Sequence, residues 1–206
     1  MLSIKNLDFY YNDDNKLIVN NFSYTFKGGL IYWLFWKSWL WKSTLARIIS
    51  WFLKPIAGNI RLDKEFIKKP SKEIIYISQK DDIFYRLSIY ENLYLLCHNK
   101  KKVEVALEKI NMIEFKNSYP KTLSWWMLKR LSFARVLLIQ PKVLILDEPF
   151  VYLDWKTKDN LISLLIDIKT QNPQMIIILI SHSKKEMKIA DKVLYFQDDI
   201  NNAFSH

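Results

Sequence analysis

One junction governs what this chain can become. The apolar run Leu30-Ile31-Tyr32-Trp33-Leu34-Phe35 leads through Trp36-Lys37-Ser38-Trp39-Leu40-Trp41 into Lys42-Ser43-Thr44, which opens a helix-patterned segment. An apolar run of this kind is the mark of a strand buried on both faces, as in a parallel sheet covered by helices. A strand, a loop ending in Lys-Ser-Thr and a helix form the setting of a phosphate-binding loop, G-x-x-x-x-G-K-[ST]. Both required glycines are tryptophan here. That loop needs positive φ and a close approach of backbone N–H groups to phosphate, and an indole opposes both.

The flanking segments alternate. Ser3 to Tyr10 and Leu17 to Phe26 read as strands around a polar turn at Asn12-Asp13-Asp14-Asn15, and Gly28-Gly29 marks the next turn. Lys42 to Leu53 has helical spacing through Leu45, Ile48, Ile49 and Phe52 and stops before Pro55. Short strands are predicted over 59–62 and 73–78, the latter followed by Gln79. Helices are predicted over 88–97, 103–112 and 124–139, the last with Ser124 as its N-cap. Lys142 to Leu146 reads as a buried strand ending in Asp147-Glu148-Pro149. A helix over 155–170, a strand over 175–180 ending in Ser181-His182, and a strand over 192–196 follow. Alternation of this kind predicts an α/β fold with a mainly parallel sheet, and the consecutive helices between 88 and 139 predict a helical subdomain.

Composition narrows the classes. The 206 residues are 50% hydrophobic and 25% charged, enough for one domain with a core. The N-terminus enters strand-like alternation at once, which predicts no signal peptide, and no apolar run reaches the length of a membrane span. A single cysteine, Cys97, excludes an internal disulfide and is expected to be a small buried residue. The net charge of +10 permits an anionic partner, but the lysines are scattered, which favours a solvated surface. Only 3 residues are glycine and 8 are tryptophan, whereas glycine averages about 7% of ordinary chains.

Taken singly, Lys42, Gln79, Asp147-Glu148 and His182 each have an ordinary structural explanation. Their order does not. A Lys-Ser-Thr loop, Gln79 after a strand, Leu123-Ser124-Trp125-Trp126-Met127 opening a helix, Asp147-Glu148-Pro149 after a strand, Leu153-Asp154 and Ser181-His182 follow one another along the chain. This ordered set resembles the ATP-binding subunit of ABC transporters over nearly all of residues 1–206. The resemblance implies one P-loop NTPase domain of the ABC ATPase fold. It would have a mainly parallel core sheet, an antiparallel N-terminal β subdomain, and a helical subdomain at about 84–139 between the Gln79 loop and the Asp147-Glu148 strand. Tyr119-Pro120, Met127 and Asp147-Glu148-Pro149-Phe150 look like the nitrate, sulfonate and taurine importer branch, and residues 84–92 resemble its transmembrane-coupling region.

By the same resemblance, ATP and Mg²⁺ are the cofactors. The loop Trp36, Lys37, Ser38, Trp39, Leu40, Trp41, Lys42, Ser43 and Thr44 would cradle phosphates, with Lys42 on the β- and γ-phosphates. Tyr11, with Tyr10 as fallback, would stack on adenine. Ser43, Gln79 and Asp147 would hold Mg²⁺. Glu148 would be the general base, with Gln79 and His182 completing the catalytic set. Ser124, Trp125, Trp126 and Asp154 would serve the ATP of a second subunit across a head-to-tail dimer. The implied partners are transmembrane permease subunits, a second ATPase subunit and an extracytoplasmic solute-binding protein. The chain would sit peripherally on the cytoplasmic face of the cell membrane. Its short tail leaves no C-terminal regulatory domain expected.

The family signature Leu-Ser-Gly-Gly reads Leu123-Ser124-Trp125-Trp126 here, and Trp36, Trp39 and Trp41 occupy the three loop glycines. Trp33, Trp51 and Trp155 fall where glycine is tolerated. The expectation is that UGA encodes glycine in the source organism and has been written as tryptophan. Taken literally, the letters predict a retained fold with a distorted or filled loop and no useful ATP affinity. The competing functions are an ABC-type ATPase acting on nucleic acid or ribosomes and, if tryptophan is genuine, a catalytically dead nucleotide-binding module.

Overall fold

The computed structural model describes residues 1–11, 18–36, 39–79, 83–181, 184–196 and 204–205. The elements in order are β1 (Leu2–Phe9), β2 (Val19–Phe26), β3 (Ile31–Trp36), α1 (Trp39–Ile49), β4 (Ala57–Leu62), β5 (Glu65–Phe66), β6 (Ile74–Ile77), α2 (Ile89–Cys97), α3 (Lys100–Lys109) and α4 (Trp125–Ile139). They continue with β7 (Val143–Asp147), α5 (Trp155–Gln171), β8 (Ile176–Ile180), α6 (Lys184–Met187), β9 (Lys192–Phe196) and β10 (Phe204–Ser205). The chain divides into two compact units, one formed by 1–76, 142–148 and 173–206, the other by 77–141 and 149–172.

The first unit is built on two sheets. One has the order β2-β1-β4-β5, with antiparallel pairs throughout. Its strands bury alternate residues such as Leu2 and Ile4, as a one-face sheet should. The other has the order β10-β9-β3-β8-β7-β6, in which β9, β3, β8 and β7 run parallel and β10 pairs antiparallel at one edge. Strands β7 and β8 are buried at all five positions, which is why their sequences are unbroken apolar runs up to Asp147. The two sheets share one core that includes Leu2, Phe26, Tyr32, Leu45, Ile145 and Ile178. Each such side chain contributes about 1.5–3 kcal/mol on burial. The mainly parallel α/β sheet expected from alternation and the antiparallel sheet implied by the resemblance are both found.

The second unit packs α2, α3 and α4 around Ile89, Leu93, Val103, Leu107, Met127 and Leu131. Helix α2 begins on a complete capping box. The Ser88 side chain accepts from the Glu91 N–H, and Glu91 accepts from the Ser88 N–H at 2.7 Å. Helix α3 begins at Lys100 rather than Val103, because Asn99 caps it by accepting from the Lys102 N–H at 3.0 Å. Three lysines carry no apolar period, so only the cap marked that start. Cys97 is half-buried rather than buried, with its thiol 4.0 Å from the Leu93 carbonyl oxygen.

Two departures bear on function. Helix α1 begins at Trp39, ahead of the predicted start at Lys42. Tryptophan is comfortable in right-handed helix and not at positive φ, so the written residues extend the helix into the stretch expected to be loop. After α1, Trp51 stands at φ +62°. The turn at Gly58 has φ +85°, and a Cβ there would meet the Asn6 carbonyl oxygen at 2.3 Å. Gly58 is a residue its backbone demands, whereas Trp51 occupies the same half of φ space against its own sterics.

Candidate functional site

Strand β7 delivers Asp147 to the C-terminal end of the parallel sheet, the end at which open α/β sheets bind ligands. Asp147 is buried. The Ser43 hydroxyl, from α1, donates to Asp147 Oδ2 at 2.6 Å. The Tyr76 hydroxyl, from β6, donates to the same oxygen at 2.9 Å. Two residues from distant motifs are thus brought together, with a third that the sequence did not single out. Tyr76 could be found only once β6 was known to lie beside β7. Burial first, then the Asp147 charge, holds the Tyr76 hydroxyl well above its ordinary pKa, so it keeps its proton and acts as a donor.

This oxygen-only set suits a hard cation such as Mg²⁺, which takes one or two protein oxygens and completes its shell with water and substrate phosphate. Among the described residues no group of three or more His, Cys, Asp and Glu side chains is arranged to hold a metal unaided. A cation at Ser43 and Asp147 would therefore need phosphate oxygens as further ligands.

Glu148 follows in a left-handed conformation, φ +49°, with its N–H donating to the Ile180 carbonyl oxygen at 2.9 Å. A non-glycine residue in that region costs about 1–3 kcal/mol, a strain that clusters at functional positions. The side chain is buried at the end of the sheet. On the α1 side, Thr44 is buried and lies 3.0 Å from the Tyr11 hydroxyl. The Tyr11 and Phe9 rings meet nearly at right angles with centroids 5.0 Å apart, and Tyr11 is 39% exposed. Tyr10 is half-buried. Trp36 ends β3, and Trp39, Leu40, Trp41 and Lys42 form the first turn of α1. Lys37, Ser38 and His182 lie outside the described residues.

The second unit holds the remaining candidates. Gln79 is half-buried beyond the end of β6, and its carbonyl oxygen accepts from Lys129 Nζ at 2.7 Å. Ser124 occupies the N-cap position of α4 with φ −70° and ψ 158°, but its side chain makes no capping bond. The expectation of a Ser124 cap holds for the backbone and not for the hydroxyl. Trp125 and Trp126 open that helix and are both exposed. Lys129 lies 4.8 Å from the Trp125 ring centre, Arg130 lies 4.7 Å from that of Trp126, and Tyr152 packs edge-on against Trp125. Asp154 caps α5, accepting from the Thr157 hydroxyl at 2.6 Å and its N–H at 2.9 Å. Those bonds hold its carboxyl below the usual carboxylate range.

Comparison with known proteins converges on one family. The family described as ABC transporter matches residues 19–151. The chain is 30% identical to an aliphatic sulfonates import ATP-binding protein of Bacillus cereus, over 94% of this chain and 80% of that protein. It is 33% identical to a nitrate import ATP-binding protein of Synechocystis, over 70% of this chain and 57% of that protein. Its fold matches a dimeric ATP-binding cassette solved in a post-hydrolysis state with ADP and Pi. The TM-score is 0.87 at 21% identity, over 99% of this chain and 98% of that one. It also matches cbiO1 from Clostridium perfringens, part of an ABC transporter complex, with a TM-score of 0.80 at 25% identity, over 94% and 83%. Among the described residues no helix is long and apolar enough to cross a membrane.

Proposed function

This chain belongs to the ABC transporter family as an ATP-binding domain, and from that premise we propose that it hydrolyses ATP to drive a membrane importer of a small solute. The observation that carries this reading is the Ser43–Asp147 contact, a hydroxyl from the start of a helix and a carboxylate from the end of a buried strand sharing one oxygen-rich corner. Lys42 and the N–H groups of α1 and its preceding loop bind the phosphates. Ser43 and Asp147 would hold Mg²⁺, with Gln79 as a further ligand, and Tyr76 keeps the Asp147 carboxylate in place. Bound Mg²⁺ supplies positive charge against the phosphate oxygens. Glu148 takes the proton of the attacking water, the bond to the γ-phosphorus forms, and ADP leaves. Tyr11 offers its ring to adenine, and His182 contacts the γ-phosphate. Ser124 and the start of α4 serve the ATP of a second subunit, with Asp154 near that boundary.

The partners in this reading are permease subunits, a second ATPase subunit and an extracytoplasmic solute-binding protein, with the chain on the cytoplasmic face of the membrane. Sulfonate and nitrate, named for two relatives, make a small oxyanion the solute class to test first.

The reading requires glycine where the letters give tryptophan in the loop and signature. Three features support that. Trp51 stands at positive φ, Trp33 carries a buried indole N–H with no hydrogen-bond partner among the described residues, and the chain has only 3 glycines. A buried unsatisfied donor costs about 1–3 kcal/mol. UGA codons at the eight positions, and an intact mass below the written 24.8 kDa, are the expected results. UGG codons at Trp36, Trp39 and Trp41 would overturn the decoding.

The functional test uses the chain with glycine at those eight positions. It should bind MgATP and hydrolyse it. Glu148→Gln should keep binding and lose about 10²–10⁴-fold in turnover. Lys42→Ala should lose binding. A glycine chain that ignores MgATP, or a Glu148→Gln chain with undiminished turnover, contradicts the proposal.

A further inference from the structure

Lys129 is completely buried, an uncommon place for a cation, since removing the charge from water costs several kcal/mol. It lies in α4, about one turn beyond Ser124. Its Nζ donates to the carbonyl oxygen of Gln79 at 2.7 Å and approaches that of Ser78 at 3.4 Å. These carbonyls lie just past the last residue of β6, where the strand ladder has ended and backbone acceptors need other donors. A charge-assisted bond to a carbonyl is about twice as strong as a neutral one. A methionine would fill the same volume without the desolvation cost, so packing alone does not account for a lysine here.

We infer that Lys129 is a positioning residue that locks the Gln79 backbone to the beginning of α4. Gln79, the proposed Mg²⁺ ligand, and Ser124, the proposed contact for the second subunit's ATP, then move as parts of one body. The inference rests on the roles assigned to Gln79 and Ser124 above. The bonds to Gln79 and Ser78 are made to backbone carbonyls and not to the Trp125 ring. These two bonds lie within the unit formed by 77–141 and 149–172.

The test compares Lys129→Met with its parent in the glycine-containing chain, using amide hydrogen exchange of peptides covering Ser78 and Gln79, MgATP affinity, turnover and thermal stability. Lys129→Met takes the donor away from two backbone carbonyls, so the melting temperature should fall by several degrees. Exchange at Ser78–Gln79 should quicken about tenfold, and turnover should fall about tenfold, with MgATP affinity within about twofold. Lys129→Gln, which retains a donor, should recover part of both losses. Lys129→Leu is the second apolar variant should the methionine chain fail to fold, and the same changes are expected of it. Exchange and turnover at parental levels in an apolar variant overturn the inference. A parent that fails to bind MgATP defeats the ATPase reading instead, while the exchange comparison still decides whether Lys129 anchors Gln79.

Discussion

Helices α2 and α4 both start from a serine with nearly the same backbone, φ −61° and ψ 163° at Ser88, φ −70° and ψ 158° at Ser124. Ser88 turns its hydroxyl inward and closes the helix with Glu91. Ser124 does not, and the first turn of α4 has no acidic residue either. Geometry equally suited to a cap is used in one place and withheld in the other. The difference separates a helix start closed by its own side chains from one whose serine makes no capping bond. A helix N-terminus with unpaired N–H groups carries roughly half a positive charge and attracts phosphate. In the written sequence Trp125 and Trp126 stand at that start.

Glycine at the start of α4 should give the largest effect. With glycine at 125 and 126 in a Glu148→Gln chain otherwise carrying the loop glycines, MgATP should drive dimerisation visible by light scattering. With tryptophan retained at those two positions the chain should stay monomeric, a shift of at least about a hundredfold, or ~2.7 kcal/mol, in apparent affinity. Ser124→Ala should come next. Turnover should fall about tenfold or more with an unchanged melting temperature, because the hydroxyl closes nothing in the fold. A large loss of stability there would make the two serines alike and erase the contrast.

Ser88→Ala should do the reverse and lose about 1 kcal/mol of stability, several degrees in melting temperature, with MgATP affinity unaltered. The smallest effect belongs to Glu91. Its carboxyl is held below its ordinary value of 4.5, chiefly by the Ser88 N–H. A depressed folded-state pKa means the contribution is complete above that ordinary value and disappears as pH falls through the folded value. Parent and Glu91→Gln should therefore differ in melting temperature near neutrality and converge as pH falls below that ordinary value. A gap that widened in acid would reverse the sign.

These contrasts also mark what the letters could convey. Strands β7 and β8 were legible because burial on both faces leaves no polar interruption, and Asp147 stood out as the charge that ends such a run. The capped helices were legible to within a turn, but the Lys100 start of α3 rested on Asn99 alone. The strands β5 and β10 have two residues each and the helix α6 has four, too short to show a period. Tyr76 and Lys129 were missed for one reason. Each acts on a residue distant in sequence, Tyr76 across β6 and β7 and Lys129 from α4 to Gln79, and neither type in its local setting is unusual. The start of α1 was misplaced because the prediction assumed a loop that the tryptophans oppose. A physically correct expectation for glycine met a chain written with indoles.

Calorimetric titration of MgATP into two versions of the full chain, one with glycine and one with tryptophan at positions 36, 39 and 41 and glycine at the other five, tests the ATP site itself. The glycine chain should bind with a dissociation constant of about micromolar order, near −8 kcal/mol, and the tryptophan chain should give no measurable heat of binding. Equal affinity in both chains, or silence in the glycine chain, would contradict the account.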